Sequence, residues 1–272
     1  MIRPAFFISD STGITAETLG KSILAQFENL NFEHIIVPYV DNLEKAHAAV
    51  QRINRAAEER GVTPIIFDTL VNESIREVIA TSQGIIVDVL GPFVRQLETA
   101  LGEKPSSTVG RLKNADYDAN YKNRIDAVNF ALDNDDGARI NRYDQAQIIL
   151  IGVSRSGKTP TCLYLALQSG VFVANYPLTE EDLDDVRLPK ALASHRERLF
   201  GLTIDPRRLM AIRTERRPDS PYSSLTRCED EVRQAEALFR RFGIPYLDTT
   251  HASVEEIATR ILFDSGLRGK GR

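Results

Sequence analysis

The chain has 272 residues, 42% of them hydrophobic, enough to bury one large core or two modest ones. Its 34 basic and 38 acidic residues leave a net charge of −4, which excludes a general polyanion-binding surface and, with it, nucleic acid as the main partner. Cys162 and Cys228 show neither a CxxC nor a Cys/His metal spacing and read as reduced packing thiols. No apolar run approaches the ~18 residues of a membrane span, and "MIRPAFFISD" lacks a signal-peptide core, so a cytoplasmic location without a membrane partner is expected.

In chain order, the first β-type run is "AFFIS" (5–9), which leads through a Ser/Thr/Gly turn into the helical pattern 14–30. Thr12 or Ser11 would cap that helix and Gly13 would permit close approach of an anion, although a capped helix without a ligand fits as well. Asp10 ends the strand, where ligand-binding residues of open α/β sheets lie. After "HIIVPYV" (34–40), the segment 42–61 places Leu43, Ala46, Val50, Ile53 and Ala57 on one helical face and stops at Gly61. "PIIFDTL" (64–70) and "GIIVDVL" (84–90) follow, the second bringing Asp88 to a strand end as a base, a metal ligand or a helix cap.

The alternation stops over 102–124, which is polar, has neither period, and exceeds the ~4–6 residues of an ordinary connection. It reads as a domain connection before a helix over 122–134. Four more strand-like runs come later: "QIILIGV" (147–153), "VFVANY" (171–176), "LFGLTI" (199–204) and "IPYLDT" (244–249); the tail 266–272 is expected to fray. Most runs are continuous rather than alternating, as in strands covered on both faces, and helices lie between many of them. The expected fold class is α/β: a parallel-sheet N-terminal domain over 1–110, a connecting segment and helix over 111–145, and a P-loop kinase-like nucleotide-binding domain over 146–272.

The most specific local signal is Gly152, Val153, Ser154, Arg155, Ser156, Gly157, Lys158 and Thr159, a full match to G-x-x-x-x-G-K-[ST]. The glycines let successive amides turn onto an anion, Lys158 would reach phosphate oxygens, and the Thr159 hydroxyl would ligate Mg²⁺. An apolar strand precedes the loop and a helix follows it, with Pro160 tolerated in the first turn.

Other candidates are weaker. Arg207, Arg208, Arg213, Arg216 and Arg217 fall within eleven residues, and one or two of them could meet phosphate. Asp248 follows a buried-looking strand and could act on Mg²⁺ through water or serve structurally; Ser253 with Glu256 forms a capping box. The four histidines have no ligand spacing. These residues leave open a phosphotransferase acting on a protein or a metabolite, a nucleotide-driven switch, and a motor subunit. No apolar run ending in Asp-Glu follows the loop, which weakens the motor. The N-terminal α/β half suits a platform for a second substrate.

The stretches "FFISDSTGITAETLGKSILAQF", "FALDNDDG", "ILIGVSRSGKTPTCLYLA", "ANYPL", "LFGLTIDPRRLMAIR" and "SVEEIATRI", in this order from residue 6 to 261, resemble the family of regulatory proteins of phosphoenolpyruvate synthase and pyruvate, phosphate dikinase. "SDSTGITAE" is closer to the synthase-regulating branch. The resemblance implies a bifunctional enzyme with phosphoenolpyruvate synthase as protein substrate. It would transfer a phosphoryl group from ADP to a target threonine, and remove it with inorganic phosphate as acceptor, releasing pyrophosphate. Such chemistry asks for a carboxylate that takes the threonine proton, for which Asp10 and Asp88 are the sequence candidates, with Lys158 stabilising charge at the phosphorus in flight. A kinase of a small metabolite and a nucleotide-sensing switch are the alternatives, and a homodimer is allowed.

Overall fold

A computed structural model describes residues 2–105, 115–184, 187–218 and 220–267. The chain divides into two compact units, Met1–Lys113 and Asn114–Arg272.

The N-terminal unit alternates strand and helix: β1 (Ile2–Ile8), α1 (Ile14–Leu24), β2 (Asn31–Val37), α2 (Leu43–Arg60), β3 (Ile65–Asp68), α3 (Glu73–Ala80), β4 (Ile85–Asp88) and α4 (Gly91–Leu101). All pairings are parallel, in the order β2-β1-β3-β4. Side chains alternate across β1: Phe6 and Ile8 pack with Ala46, Ala49, Ile53, Ile75 and Ile79 of α2 and α3, while Ala5 and Phe7 pack with Ala16 and Leu24 of α1. The buried stripe of α2 runs through Ala46, Ala49 and Ile53, and Leu43, expected inside, is 50% exposed. Gly61 ends this helix in the left-handed conformation, φ 60°. In α1 neither Ser11 nor Thr12 caps: Gly13 itself is the cap residue, at φ 81°, and no side chain bonds the first turn. Ser9 Oγ instead accepts from Ser11 N at 3.1 Å, which closes the turn locally.

The second unit contains α5 (Ala115–Asp133), β5 (Ile148–Gly152), α6 (Lys158–Ser169), β6 (Val173–Pro177), α7 (Glu180–Asp184), β7 (Leu199–Thr203), α8 (Pro206–Arg216), α9 (Leu225–Phe242), β8 (Tyr246–Asp248) and α10 (Val254–Asp264). Its four strands are again parallel, in the order β6-β5-β7-β8. One face of the sheet is covered by α8 and α9 through Leu209, Cys228, Val232, Leu238 and Phe239. The other is covered by α5, α6 and α10 through Ala127, Ala131, Leu165, Ile257 and Ile261. Every residue of β5 is buried, as a central strand between two helical layers requires.

Helix α5 belongs to this unit and begins at residue 115, seven residues ahead of the expected start at 122; residues 106–114 of the polar stretch lie outside the described residues. Packing explains why a sequence of weak periodicity is helical: Asn123 Nδ2 donates to Gly170 O at 3.0 Å, joining α5 to the end of α6. At the far edge β8 is exposed at Tyr246 and Asp248 rather than buried, because no strand of the described residues lies beyond it. Of the tail, residues 268–272 lie outside the described residues.

Candidate active site

Because β6 and β7 lie on opposite sides of β5, the chain leaves the carboxyl end of β5 at the point where strand order reverses, the crevice position of an open α/β sheet. The 152–159 loop starts there. Gly152 has no room for a side chain: a Cβ would collide with the Leu202 carbonyl oxygen and sit 2.9 Å from Ser156 Oγ. Arg155 (φ 76°) and Gly157 (φ 90°) turn the backbone left-handed, and Gly157 caps α6 with open space on its side-chain side. The eight residues predicted to act together are thus one continuous loop running into a helix N-terminus, where amide N–H groups and the helix dipole favour an anion. Ser156 Oγ is buried in it without a hydrogen-bond partner among the described residues.

Lys158 is 5% exposed, and its Nζ donates to Gly152 O at 3.0 Å and Val153 O at 2.9 Å. Burial pushes its pKa down to about 8, against the opposing pull of Asp136 and Asp135. Among the described residues no carboxylate reaches it within ion-pair distance. An ammonium held only by carbonyl dipoles in a dry site gains much from a phosphate oxygen.

The acidic side of the site comes from a turn that sequence reasoning did not single out. Helix α5 ends at Asp133, and the 3₁₀ turn Asp135–Gly137 follows. Asp135 Oδ1 accepts from Thr159 Oγ1 at 2.8 Å and from Asn175 Nδ2. Asn175, 1% exposed on β6, also accepts the Asp136 N–H on its Oδ1 at 2.9 Å, so one amide fixes both aspartates. Asp136 adopts φ 48°, uncommon for a side-chain-bearing residue. Asp136 lines a cavity of about 300 Å³ with Lys158, Thr159, Ser154 and Arg216. A search for acids downstream of the loop, on a following strand, passes over residues that precede it; the available signal was the doublet of acids and a glycine closing the helix "FALDNDDG".

The arginine cluster divides by role. Arg213 is fully buried and supports the loop from below: Nη2 donates to Ser154 O at 3.1 Å and to Glu231 Oε2 at 2.6 Å, and Nη1 to Tyr222 O at 3.1 Å. Its guanidinium lies 4.2 Å from the centre of the Tyr222 ring, whose hydroxyl shares a 2.8 Å hydrogen bond with Ser154 Oγ. Arg216 lines the 300 Å³ cavity, and Arg208 lines a second one of about 240 Å³, with Ile204, Thr250, Ala252, Val254 and Ile257. Arg155, Gly157, Pro160 and Ile212 border both cavities.

Asp10 and Asp88 belong to the N-terminal unit, at the carboxyl ends of β1 and β4. Asp10 Oδ2 accepts from Val71 N at 3.0 Å. Asp88 Oδ1 accepts from Leu90 N at 3.2 Å and Gly91 N at 2.6 Å, and Oδ2 pairs with Arg76 and, at 3.7 Å, with Arg95. Burial would raise the Asp88 pKa, but the Gly91 N–H and the Arg76 guanidinium outweigh it and hold the carboxyl below its ordinary range. The Asp88 carboxylate closes the turn into α4, while Asp10 holds the segment that follows β3. Asp248 likewise binds Thr250, through its N–H at 2.8 Å and its hydroxyl, and the capping box of Ser253 and Glu256 starts α10.

Thr159 and the two aspartates offer the hard oxygen donors that suit Mg²⁺ beside phosphate. Among the described residues no group of three or more His, Cys, Asp or Glu side chains is arranged to hold a metal by itself, so phosphate and water oxygens would complete the coordination. No helix of the described residues is long and apolar enough to cross a membrane.

Residues 5–262 match the model of the kinase/pyrophosphorylase family. Relatives named "Putative phosphoenolpyruvate synthase regulatory protein" include one from Pseudomonas fluorescens (strain Pf0-1), 59% identical over 267 residues and 98% of each chain. Another from Pseudomonas aeruginosa (strain LESB58) is 58% identical, over 98% of this chain and 97% of its own. A third from Marinobacter nauticus is 57% identical, over 98% and 99%. Among solved structures, a LacI transcriptional regulator from Lactobacillus brevis aligns over 92% of this chain and 98% of its own with 11% identity and a TM-score of 0.21, a likeness that carries no argument. The family match over nearly the whole length and relatives 57–59% identical agree: the chain belongs to the kinase/pyrophosphorylase family, a family of phosphotransferases.

Proposed function

We propose that this protein regulates phosphoenolpyruvate synthase by moving phosphoryl groups on and off a threonine of that enzyme, with ADP as donor and inorganic phosphate as the acceptor in the return reaction. The observation that carries the reading is Lys158, buried on the carbonyls of its own loop and bordered by carboxylates that it does not pair with. A bound diphosphate would draw its ammonium off Gly152 O and Val153 O and onto phosphoryl oxygens, while loop amides take the rest of the charge. Mg²⁺ held near Thr159 would neutralise charge on the same oxygens. The 240 Å³ cavity, apolar at Ile204, Ala252, Val254 and Ile257 with cations at Arg155 and Arg208, suits the nucleoside, and the 300 Å³ cavity the reacting phosphoryl group and acceptor.

In phosphorylation the threonine oxygen bonds to the β-phosphorus of ADP as the bond to the bridging oxygen breaks, and the electron pair leaves with AMP. In the return reaction an oxygen of inorganic phosphate bonds to the phosphothreonine phosphorus, and pyrophosphate departs as the threonine oxygen recovers a proton. One loop would cradle the nucleotide in the first reaction and inorganic phosphate in the second, so the two ligands should compete.

Incubation with ADP labelled at the β-phosphate, run in parallel on phosphoenolpyruvate synthase and pyruvate, phosphate dikinase, tests the reading. Label on a threonine of the synthase is expected, and its release by phosphate as pyrophosphate. Transfer from ATP to a small metabolite with no labelled protein would replace this reading with a metabolite kinase.

A further inference from the structure

We infer that Arg216, at the end of α8, is the cation that receives the phosphate group carried by the protein substrate, and that it serves the return reaction far more than phosphorylation. The inference rests on the phosphotransfer reading above and adds to it the residue that tells the phosphorylated target from the unmodified one.

The geometry of α8 sets Arg216 apart from the other arginines. Arg208, Ile212 and Arg216 recur every four residues and share one face of the helix. Of the two cavities at the anion loop, Arg208 borders the 240 Å³ one, Arg216 the 300 Å³ one, and Ile212 both. This face therefore carries a cation at each end, about 12 Å apart along the axis. Arg213, three residues before Arg216, is fully buried and spent on Ser154 O, Tyr222 O and Glu231. Arg216 is exposed, and among the described residues no hydrogen bond or ion pair engages its guanidinium. A free guanidinium on the wall of a cavity it shares with Lys158 offers its fork of donors to an oxyanion there.

The two reactions load that cavity differently. Phosphorylation brings a neutral hydroxyl to a nucleotide whose charge the loop amides, Lys158 and Mg²⁺ meet. The return reaction brings phosphothreonine, which carries about −1.5 to −2 at neutral pH, against a second phosphate anion. The two repel unless cations stand on both sides of them. Lys158 and the loop serve one, and Arg216 stands where the other enters. Arg155 borders both cavities and so meets ligands of both reactions, which leaves Arg216 as the cation whose loss is selective.

Arg216 takes no covalent part. An oxygen of hydrogen phosphate bonds to the phosphothreonine phosphorus, and the bond to the threonine oxygen breaks with its electron pair going to that oxygen. The proton given up by the attacking phosphate ends on the threonine, and pyrophosphate leaves with the summed charge of the two reactants.

The test compares wild type, Arg216→Gln and Arg216→Lys in the full-length protein at constant ionic strength. Phosphorylation of the synthase by β-labelled ADP and release of that label by inorganic phosphate are measured as separate kcat and KM values, with thermal midpoints alongside. The ratio of return to forward kcat/KM should fall by about 10–100-fold in Arg216→Gln, the loss of one charge-assisted contact. The loss should appear in KM for the phosphorylated synthase, and Arg216→Lys should recover part of it. A ratio within threefold of wild type overturns the inference and leaves the phosphotransfer reading standing. So does a change confined to KM for inorganic phosphate, which would put Arg216 on the attacking anion instead. A lowered thermal midpoint with equal loss in both directions makes the residue structural and also overturns it. Failure of wild type to label the synthase sinks the reading itself, and the inference with it.

Discussion

Thr159 Oγ1 donates to Asp135 Oδ1 across 2.8 Å, tying the first turn of α6 to the turn that ends α5. A hydroxyl that gives its hydrogen to a carboxylate keeps its lone pairs turned outward, the orientation a cation or phosphate-bound water needs. Replacing Asp135 with Ala should therefore weaken apparent Mg²⁺ affinity by about 10–100-fold, as loss of a supporting partner does at metal sites. Titration of the labelled-ADP reaction with Mg²⁺ reads this directly; an unchanged titration curve would leave the Thr159 bond a purely structural contact.

Lys158 gives a pH prediction with a definite sign. Its pKa is pushed down to about 8 by burial, and only the ammonium form attracts a diphosphate. ADP affinity should fall as pH rises through about 8, measured by calorimetry at constant ionic strength. Stability moves the other way. Between the folded value near 8 and the ordinary 10.5, the unfolded chain binds more protons than the folded one, so the Lys158 contribution to stability rises with pH across that window. Lys158→Met should abolish phosphotransfer, remove both dependences, and leave the ligand-free thermal midpoint equal to or above wild type.

Arg213 should matter for stability before catalysis. Its guanidinium is fully buried and bonded to Glu231, whose carboxyl would be raised by burial but is held below its ordinary value by Arg213 and Arg227. Arg213→Ala leaves that part-buried carboxylate with Arg227 alone and should cost about 3 kcal/mol in urea unfolding. Because the Glu231 pKa is depressed, its favourable contribution is present above the ordinary 4.5 and fades as pH falls below it. The penalty of the variant should shrink in acid.

The two loop glycines should respond differently to alanine. At Gly152 the added Cβ meets the Leu202 carbonyl oxygen, a backbone atom that cannot swing aside, so Gly152→Ala should cost about 1–3 kcal/mol and distort the loop. At Gly157 there is space but φ is 90°, and the penalty should be conformational, about 1–2 kcal/mol. Denaturant midpoints and ADP binding for the pair separate steric from conformational demand.

Much of this was legible from the sequence, for physical reasons. All eight β-type runs correspond to strands, the central ones because a strand buried on both faces must be continuously apolar, and the Ser253 and Glu256 spacing matches the capping box of α10. The start of α5 was missed because its stability comes from packing along α6 rather than from its own periodicity. Ser11 and Thr12 were read as caps, yet a glycine in the left-handed region took that place. Asp10 and Asp88 are candidates by their place at strand ends, and position alone does not show that Asp88 is held by two backbone N–H groups and Arg76, or that Asp10 accepts from the Val71 N–H. Asp135 and Asp136 escaped because the amide that unites them, Asn175, lies forty residues further along the chain and only the sheet brings it back.

The order in which these parts occur has a practical use. Both aspartates, the glycine after them, one buried strand and the entire anion loop form a single uninterrupted stretch, with Asn175, Arg213, Arg216 and Tyr222 supplied from outside it. Such a cassette can be exchanged whole between relatives in a chimera. The recipient would receive its phosphate cradle and its acidic partners in register, and any difference in donor preference between two parents could then be traced to what lies inside or outside that insert.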